Sequence, residues 1–142
     1  MILQMATLSC AAARQILDAA LAEAARQGLT VAVCVVDAQG HPLAAARMEG
    51  ATPPILTFAE DKAYTAATMR RGTAAYAERM AARPSLALGL STRRRLLPWG
   101  GGLPVVHEGK VIGGVGVSGA TEPEDTACAE AGLRALGLGW EV

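Results

Sequence analysis

Leu29-Thr30-Val31-Ala32-Val33-Cys34-Val35-Val36, Asp37-Ala38-Gln39-Gly40-His41-Pro42, Leu43-Ala44-Ala45-Ala46-Arg47-Met48: this stretch decides the fold class. Its first eight residues are apolar and rich in β-branched side chains, the pattern of a buried strand. Asp37 to Pro42 is turn chemistry, with Asp, Gly and Pro each supplying a different bend. Leu43 to Met48 then returns as a second strand, so the pair is a hairpin. The design recurs further on, where Leu103 to His107, a Glu108-Gly109 turn and Lys110 to Ser118 read as a second hairpin.

The segments around the hairpins read as helices. Thr7 or Ser9 caps a first helix to about Gln27, with Ala13, Ile16, Leu17, Ala20, Leu21 and Ala24 at helical spacing and Gly28 just past its end. Pro53-Pro54 opens a helix over about 55–69. Gly72-Thr73 breaks it, and Thr73 is expected to cap another helix to about Ala82. Residues 83–103 read as irregular, with Pro84, Gly89, Pro98 and three consecutive glycines. Thr121-Glu122-Pro123-Glu124 has capping-box spacing and starts a last helix, which Gly137 ends. Helix, hairpin, helices, hairpin, helix predicts an α/β fold of the α+β kind. A central antiparallel sheet of two hairpins is flanked by helices in a single domain over 1–142.

Composition narrows the function. With 13 basic and 13 acidic residues the net charge is zero, which argues against bulk attraction to nucleic acid or an anionic membrane. Seven arginines lie between Arg70 and Arg95 with only Glu78 for company, but Tyr76 is their one aromatic neighbour, so they read as a solvated face. Cys10, Cys34 and Cys128 are far apart and form no metal-binding cluster, so no metal site is expected. Reduced thiols suit a cytoplasmic location. The start lacks a basic n-region and no apolar run approaches ~20 residues, so neither a signal peptide nor a membrane span is expected.

Candidate site residues cluster in two segments. In Arg47-Met48-Glu49-Gly50-Ala51, Arg47 suits a carboxylate and Glu49 suits proton transfer; alternation along the strand end puts the two on one face. Lys62 sits among small residues, Ala59, Ala63, Ala66 and Ala67, and reads either as a base or anion-binding amine or as half of a salt bridge. Glu60 and Asp61 cannot face it along the helix, which leaves Glu49 as the expected neighbour. In the second segment, Gly101, Gly102, Gly116 and Gly119 let backbone approach a ligand, and Ser118 adds a donor. Trp99 is a pocket wall or a subunit contact.

Gly114, Gly116 and Gly119 satisfy GxGxxG, yet only 23 residues follow Gly119, too few for the second strand of a dinucleotide site. Two readings of these glycines stay open: an anion cradle with the last helix N-terminus, or plain close packing. Gly-Val-Ser-Gly-Ala around Ser118 is not a nucleophile elbow, so Ser118 reads as a hydrogen-bonding residue.

Taken together, Val35-Val36-Asp37 with Gly40, Arg47 to Ala51, Lys62-Ala63 with Thr65-Ala66, Gly101-Gly102-Leu103-Pro104, and Gly116 to Gly119 followed by Glu124-Asp125 resemble the GlcG/HbpS-like family. That family is also called the haem-degrading or DUF336 domain, and the C-terminal domain of PduO-type proteins is related to it. The resemblance spans about residues 9–136 and implies a profilin-like fold and a homo-oligomer, a dimer or larger. It also implies haem or a corrinoid as a possible cofactor. Glu49 stands where the family commonly has Asp. Haem-binding members have a histidine near the first helix, whereas His41 and His107 here fall at hairpin turns.

Three functions follow. The first is a small-molecule-binding protein whose ligand is haem, another tetrapyrrole or a carboxylate-bearing metabolite. Arg47, Lys62 and the Ser118 region would hold its acidic groups, and Met48 and Trp99 its apolar face. The second is a cofactor-free isomerase, tautomerase or lyase, in which Glu49 or Lys62 moves a proton on an enolisable acid. The third is an accessory oligomeric subunit of a catabolic pathway.

Overall fold

The turn after Asp37 forms as its chemistry dictates. The Asp37 side chain accepts from the backbone of Gln39 at 2.9 Å and His41 at 3.0 Å, and Gly40 takes a left-handed φ of +88°. In the computed structural model, which describes residues 1–142, β1 (Ala32–Asp37) and β2 (Pro42–Arg47) flank this turn. β3 (Gly102–His107) and β4 (Lys110–Ser118) form the second hairpin. β1 joins β4, so the sheet runs β2-β1-β4-β3 and every pairing is antiparallel. Pro42 is tolerated because β2 is an edge strand. β1 starts later than the apolar run suggests: Val31 pairs instead with Met48, whose amide donates to the Val31 carbonyl at 3.0 Å.

The two sheet faces are chemically different. Val33, Val35, Val115, Val117, Leu103 and Val105 point one way. They pack on α1 (Cys10–Arg26) through Ala13, Ile16, Leu17 and Ala20, and on α5 (Glu122–Arg134) through Cys128, Ala129 and Leu133. The other face carries Ala32, Cys34 and Val36 and receives α2 (Pro53–Met69) through Ala59, Ala63 and Ala67. The result is three layers: helices, sheet, helix.

Capping agrees with the sequence at α1, where Ser9 accepts from Ala12 at 3.1 Å and Gly28 follows the end at φ +70°. At α5 the full Thr121–Glu124 capping box forms.

Two expectations are corrected. Gly72, not Thr73, caps α3 (Thr73–Ala81), and the Thr73 hydroxyl instead accepts from the Gly102 amide at 2.9 Å. Residues 83–103 are not wholly irregular, because Pro84–Leu90 form α4, opened by Pro84 at its first position. Past Gly137 the chain lies on the sheet edge, where Val106 and Gly139 exchange two backbone hydrogen bonds of 2.8 and 3.0 Å. No helix is long and apolar enough to cross a membrane.

Candidate functional site

Lys62 lies on the sheet-facing side of α2 and is 1% exposed. A buried ammonium requires partners, and Lys62 has two on other elements. Its Nζ donates to the Val117 carbonyl at 2.9 Å and to Asp125 Oδ2 at 3.2 Å. Asp125, equally buried in the first turn of α5, also accepts from the Ala120 amide at 3.0 Å. Burial pushes the Lys62 pKa down, and the Asp125 carboxylate works against that shift. Burial pushes Asp125 up, and Lys62 opposes it. The pair ties α2, β4 and α5 together at one end of the sheet.

The expected Lys62–Glu49 neighbourhood is therefore corrected: the partner is Asp125, and Glu49 is exposed in the turn after β2. β2 ends at Arg47, so alternation does not carry Glu49 onto the Arg47 face. Arg47 is exposed and donates to the Ala51 carbonyl. It still shares a cross-strand row with Ser118, through Ala32, which pairs with both. Met48 turns inward, where its Sδ faces the Val31 amide at 3.4 Å and its side chain packs on the main core.

The glycines lie against backbone. A Cβ on Gly116 would collide with the Ala59 carbonyl and come within 2.6 Å of the Ala63 nitrogen, while one on Gly114 would strike the Ala63 carbonyl. These residues let α2 rest directly on β4. A Cβ on Gly102 would likewise come within 2.6 Å of the Lys62 carbonyl. Gly101, at φ +124°, closes over Lys62, with Nζ 2.7 Å from the place its Cβ would occupy. Gly119, at φ +125°, turns the chain beside the Thr30 carbonyl. Of the two open readings, close packing is what the geometry of Gly114 and Gly116 displays. Ser118 is 4% exposed on the α2 side of the sheet.

Trp99 is 36% exposed and meets Phe58 of α2 edge-on, with ring centroids 5.5 Å apart. The segment leading to it is strapped to α2. Thr65 donates to the Arg95 carbonyl and accepts from the Leu97 amide, both at 2.9 Å. Arg95 stacks on Tyr64 at 3.9 Å. Next along the chain, the Gly100 amide donates to Glu122 at 2.5 Å.

Lys62, Gly101, Gly102, Gly116 and Ser118 thus come together, with Arg47 two strands away, but they pack solidly. The surface clefts lie elsewhere. One, of about 300 Å³, has an apolar floor of Leu8, Ile112, Leu136 and Leu138, with His107 at its rim. The His107 side chain is 59% exposed, and its Nε2 stands 3.8 Å from Glu108.

The family model described as haem degrading protein HbpS-like matches residues 8–134. The chain belongs to the HbpS-like family. A 15.0 kDa uncharacterised protein of Citrobacter freundii, from the dhaT-dhaS intergenic region, is 40% identical over 131 residues, 92% of each chain. Protein GlcG of Escherichia coli K12 is 37% identical over 111 residues, 78% of this chain and 81% of its own. A solved PduOC complex with heme superposes with a TM-score of 0.85 at 28% identity, covering 96% of this chain and 99% of that one. The profilin-like arrangement expected of this HbpS-like chain is the one it has. Sequence reading missed Asp125 as the partner of Lys62, and it placed His107 at an exposed turn without the groove beside it. Asp125 was signalled by a lysine placed on a buried alanine face, which must find a carboxylate. The His107 groove was signalled by Leu136 and Leu138 straddling Gly137, where an exposed tail would be polar.

Proposed function

We propose that this chain is a small-molecule-binding protein whose ligand is a planar, mainly apolar molecule of the tetrapyrrole class, seated in the groove beside His107. The observation that carries the reading is an imidazole standing at the rim of an apolar floor. The floor gains by covering a ring face, at about 25 cal/mol per Å² of apolar surface removed from water. The donor set suits haem: histidine is a common axial ligand, and the carboxylate at 3.8 Å lies outside hydrogen-bond range, leaving the imidazole nitrogens free. Bound haem would supply an iron to accept the imidazole lone pair. The chain supplies the imidazole and the apolar floor.

At about 300 Å³ the groove is at the small end of ligand sites and seats one face of such a ring rather than enclosing it. The other face is left to solvent or to a second copy, in keeping with the homo-oligomer that the family resemblance implies. Membership of the HbpS-like family and the solved complex of a relative with heme support the ligand class. Buried, unbridged Cys34 and Cys128 support a cytoplasmic setting.

The test is a haem titration followed by absorbance, with cobalamin alongside, on wild type, His107→Ala and His41→Ala. A saturable shift kept in His41→Ala and lost in His107→Ala is expected. Equal binding by His107→Ala removes the groove from the proposal, and no binding of either tetrapyrrole by wild type removes the ligand class.

A further inference from the structure

Arg70 ends α2 in the left-handed region, at φ 56° and ψ 43°, a position that glycine fills most readily. A side chain kept there against backbone preference calls for a reason. Two clefts meet at this residue. The first, of about 390 Å³, is lined by Arg70 and Lys110, with Gln4 and Gly109 beside them. The second, of about 360 Å³, is lined by Arg70, Arg71 and Trp140, with Glu141 and Val142 also on its wall; Val142, whose main-chain carboxylate is the second acidic group here, lines the first cleft as well.

None of the three cations is spoken for. The ion pairs in the molecule are Arg26–Glu23, Lys62–Asp125, Arg95–Asp61 and Arg134–Glu130, and Glu108 stands 3.8 Å from the His107 imidazole. The side chains of Arg70, Arg71 and Lys110 take no part in them. Arg71 is half-buried, which makes an unpartnered guanidinium less comfortable than one in open water. The cations come from different elements: Arg70 and Arg71 follow α2, whereas Lys110 opens β4. The fold, rather than a run of basic sequence, brings them to adjoining clefts.

We propose that this surface is a second binding site, separate from the His107 groove, for a small polyanion carrying at least two negatively charged oxygens. Phosphate-ester and polycarboxylate groups share that chemistry. Arg70 bridges the clefts, Arg71 offers a planar fork to one anionic group, and Lys110 meets the other as a point charge. Trp140 walls the second cleft, with the Arg134 guanidinium 5.2 Å over its ring.

Calorimetric titration with inorganic pyrophosphate and with citrate tests this on the whole chain. Arg70→Gly removes the guanidinium while relieving the backbone, so loss of binding there is not loss of fold. Saturable binding of at least one probe is expected. It should weaken about tenfold in Arg70→Gly and in Arg71→Gln, and stay unchanged in Arg94→Gln, whose arginine lines neither cleft. Binding of pyrophosphate alone assigns phosphate chemistry, and binding of citrate alone assigns carboxylate. The proposal is overturned by no saturable binding of either probe. Equal binding in Arg70→Gly, or an equal loss in Arg94→Gln, overturns it as well.

Discussion

Replacing Lys62 by Met keeps the length of the side chain and removes its charge. Asp125 is then left 1% exposed with the Ala120 amide as its remaining partner. Breaking one side of a buried pair costs about 3–5 kcal/mol. For a domain whose whole stability is about 5–15 kcal/mol that is roughly a fifth or more, and it lowers Tm by roughly 10 °C. Asp125→Asn is the mirror experiment, stranding the ammonium.

The two variants respond to pH in opposite senses. In Lys62→Met the carboxyl loses the charge that opposed burial, so its folded pKa climbs further above the ordinary 3.8. Between those values the folded state holds a proton that the unfolded state has lost, so stability falls as pH rises through the window. Lys62→Met is therefore least damaged in mild acid. In Asp125→Asn the folded Lys62 drops further below its ordinary 10.5. There the unfolded chain holds the extra proton, and stability rises with pH toward 10.5. Urea unfolding at three pH values from mild acid to mild alkali reads both slopes, and the double variant is expected to be more stable than the worse single. Singles within about 1 kcal/mol of wild type, or slopes of the same sign, refute the buried pair.

Gly116→Ala forces a methyl against the Ala59 carbonyl and the Ala63 nitrogen, which are helix backbone and cannot swing aside. A loss of about 1–3 kcal/mol is expected in thermal unfolding, and wild-type stability would mean that α2 does not rest on β4. Gly89→Ala, with nothing within 4 Å of the new methyl and an ordinary helical setting, is expected to gain about 0.5–1 kcal/mol in the same assay. Thr65→Val removes both hydrogen bonds that strap residues 95–97 to α2. It is expected to cost about 1–3 kcal/mol and to speed tryptic cleavage at Arg93–Arg95; an unchanged cleavage rate sinks the strap.

What the sequence discloses depends on how far apart the deciding residues lie. Turns and caps are local, so Asp37 with Gly40, Ser9 with Gly28, and Thr121 with Glu124 were legible directly, and the two hairpins followed from them. α4 escaped because seven residues with Gly89 near the end carry too little periodicity to stand out from a loop. The glycines of β4 were ambiguous for a deeper reason. Gly-x-Gly beside a serine is compatible with a ligand or with a helix, and what decides is the surface opposite. That surface is Ala59, Ala63 and Ala67, a stripe at four-residue spacing some fifty residues earlier. Lys62 was noticed for its small neighbours, yet the partner expected for it, Glu49, was the carboxylate nearer in sequence, whereas the fold supplies one 63 residues away. The same alanine stripe that hides Lys62 from water demands an equally hidden acid, and of the acids in α5 only Asp125 is buried. The glycines and the ion pair are thus two consequences of one event, the seating of α2 on bare strand backbone. Gly116→Ala and Lys62→Met are therefore close enough to couple, and their combined cost should differ from the sum of the two.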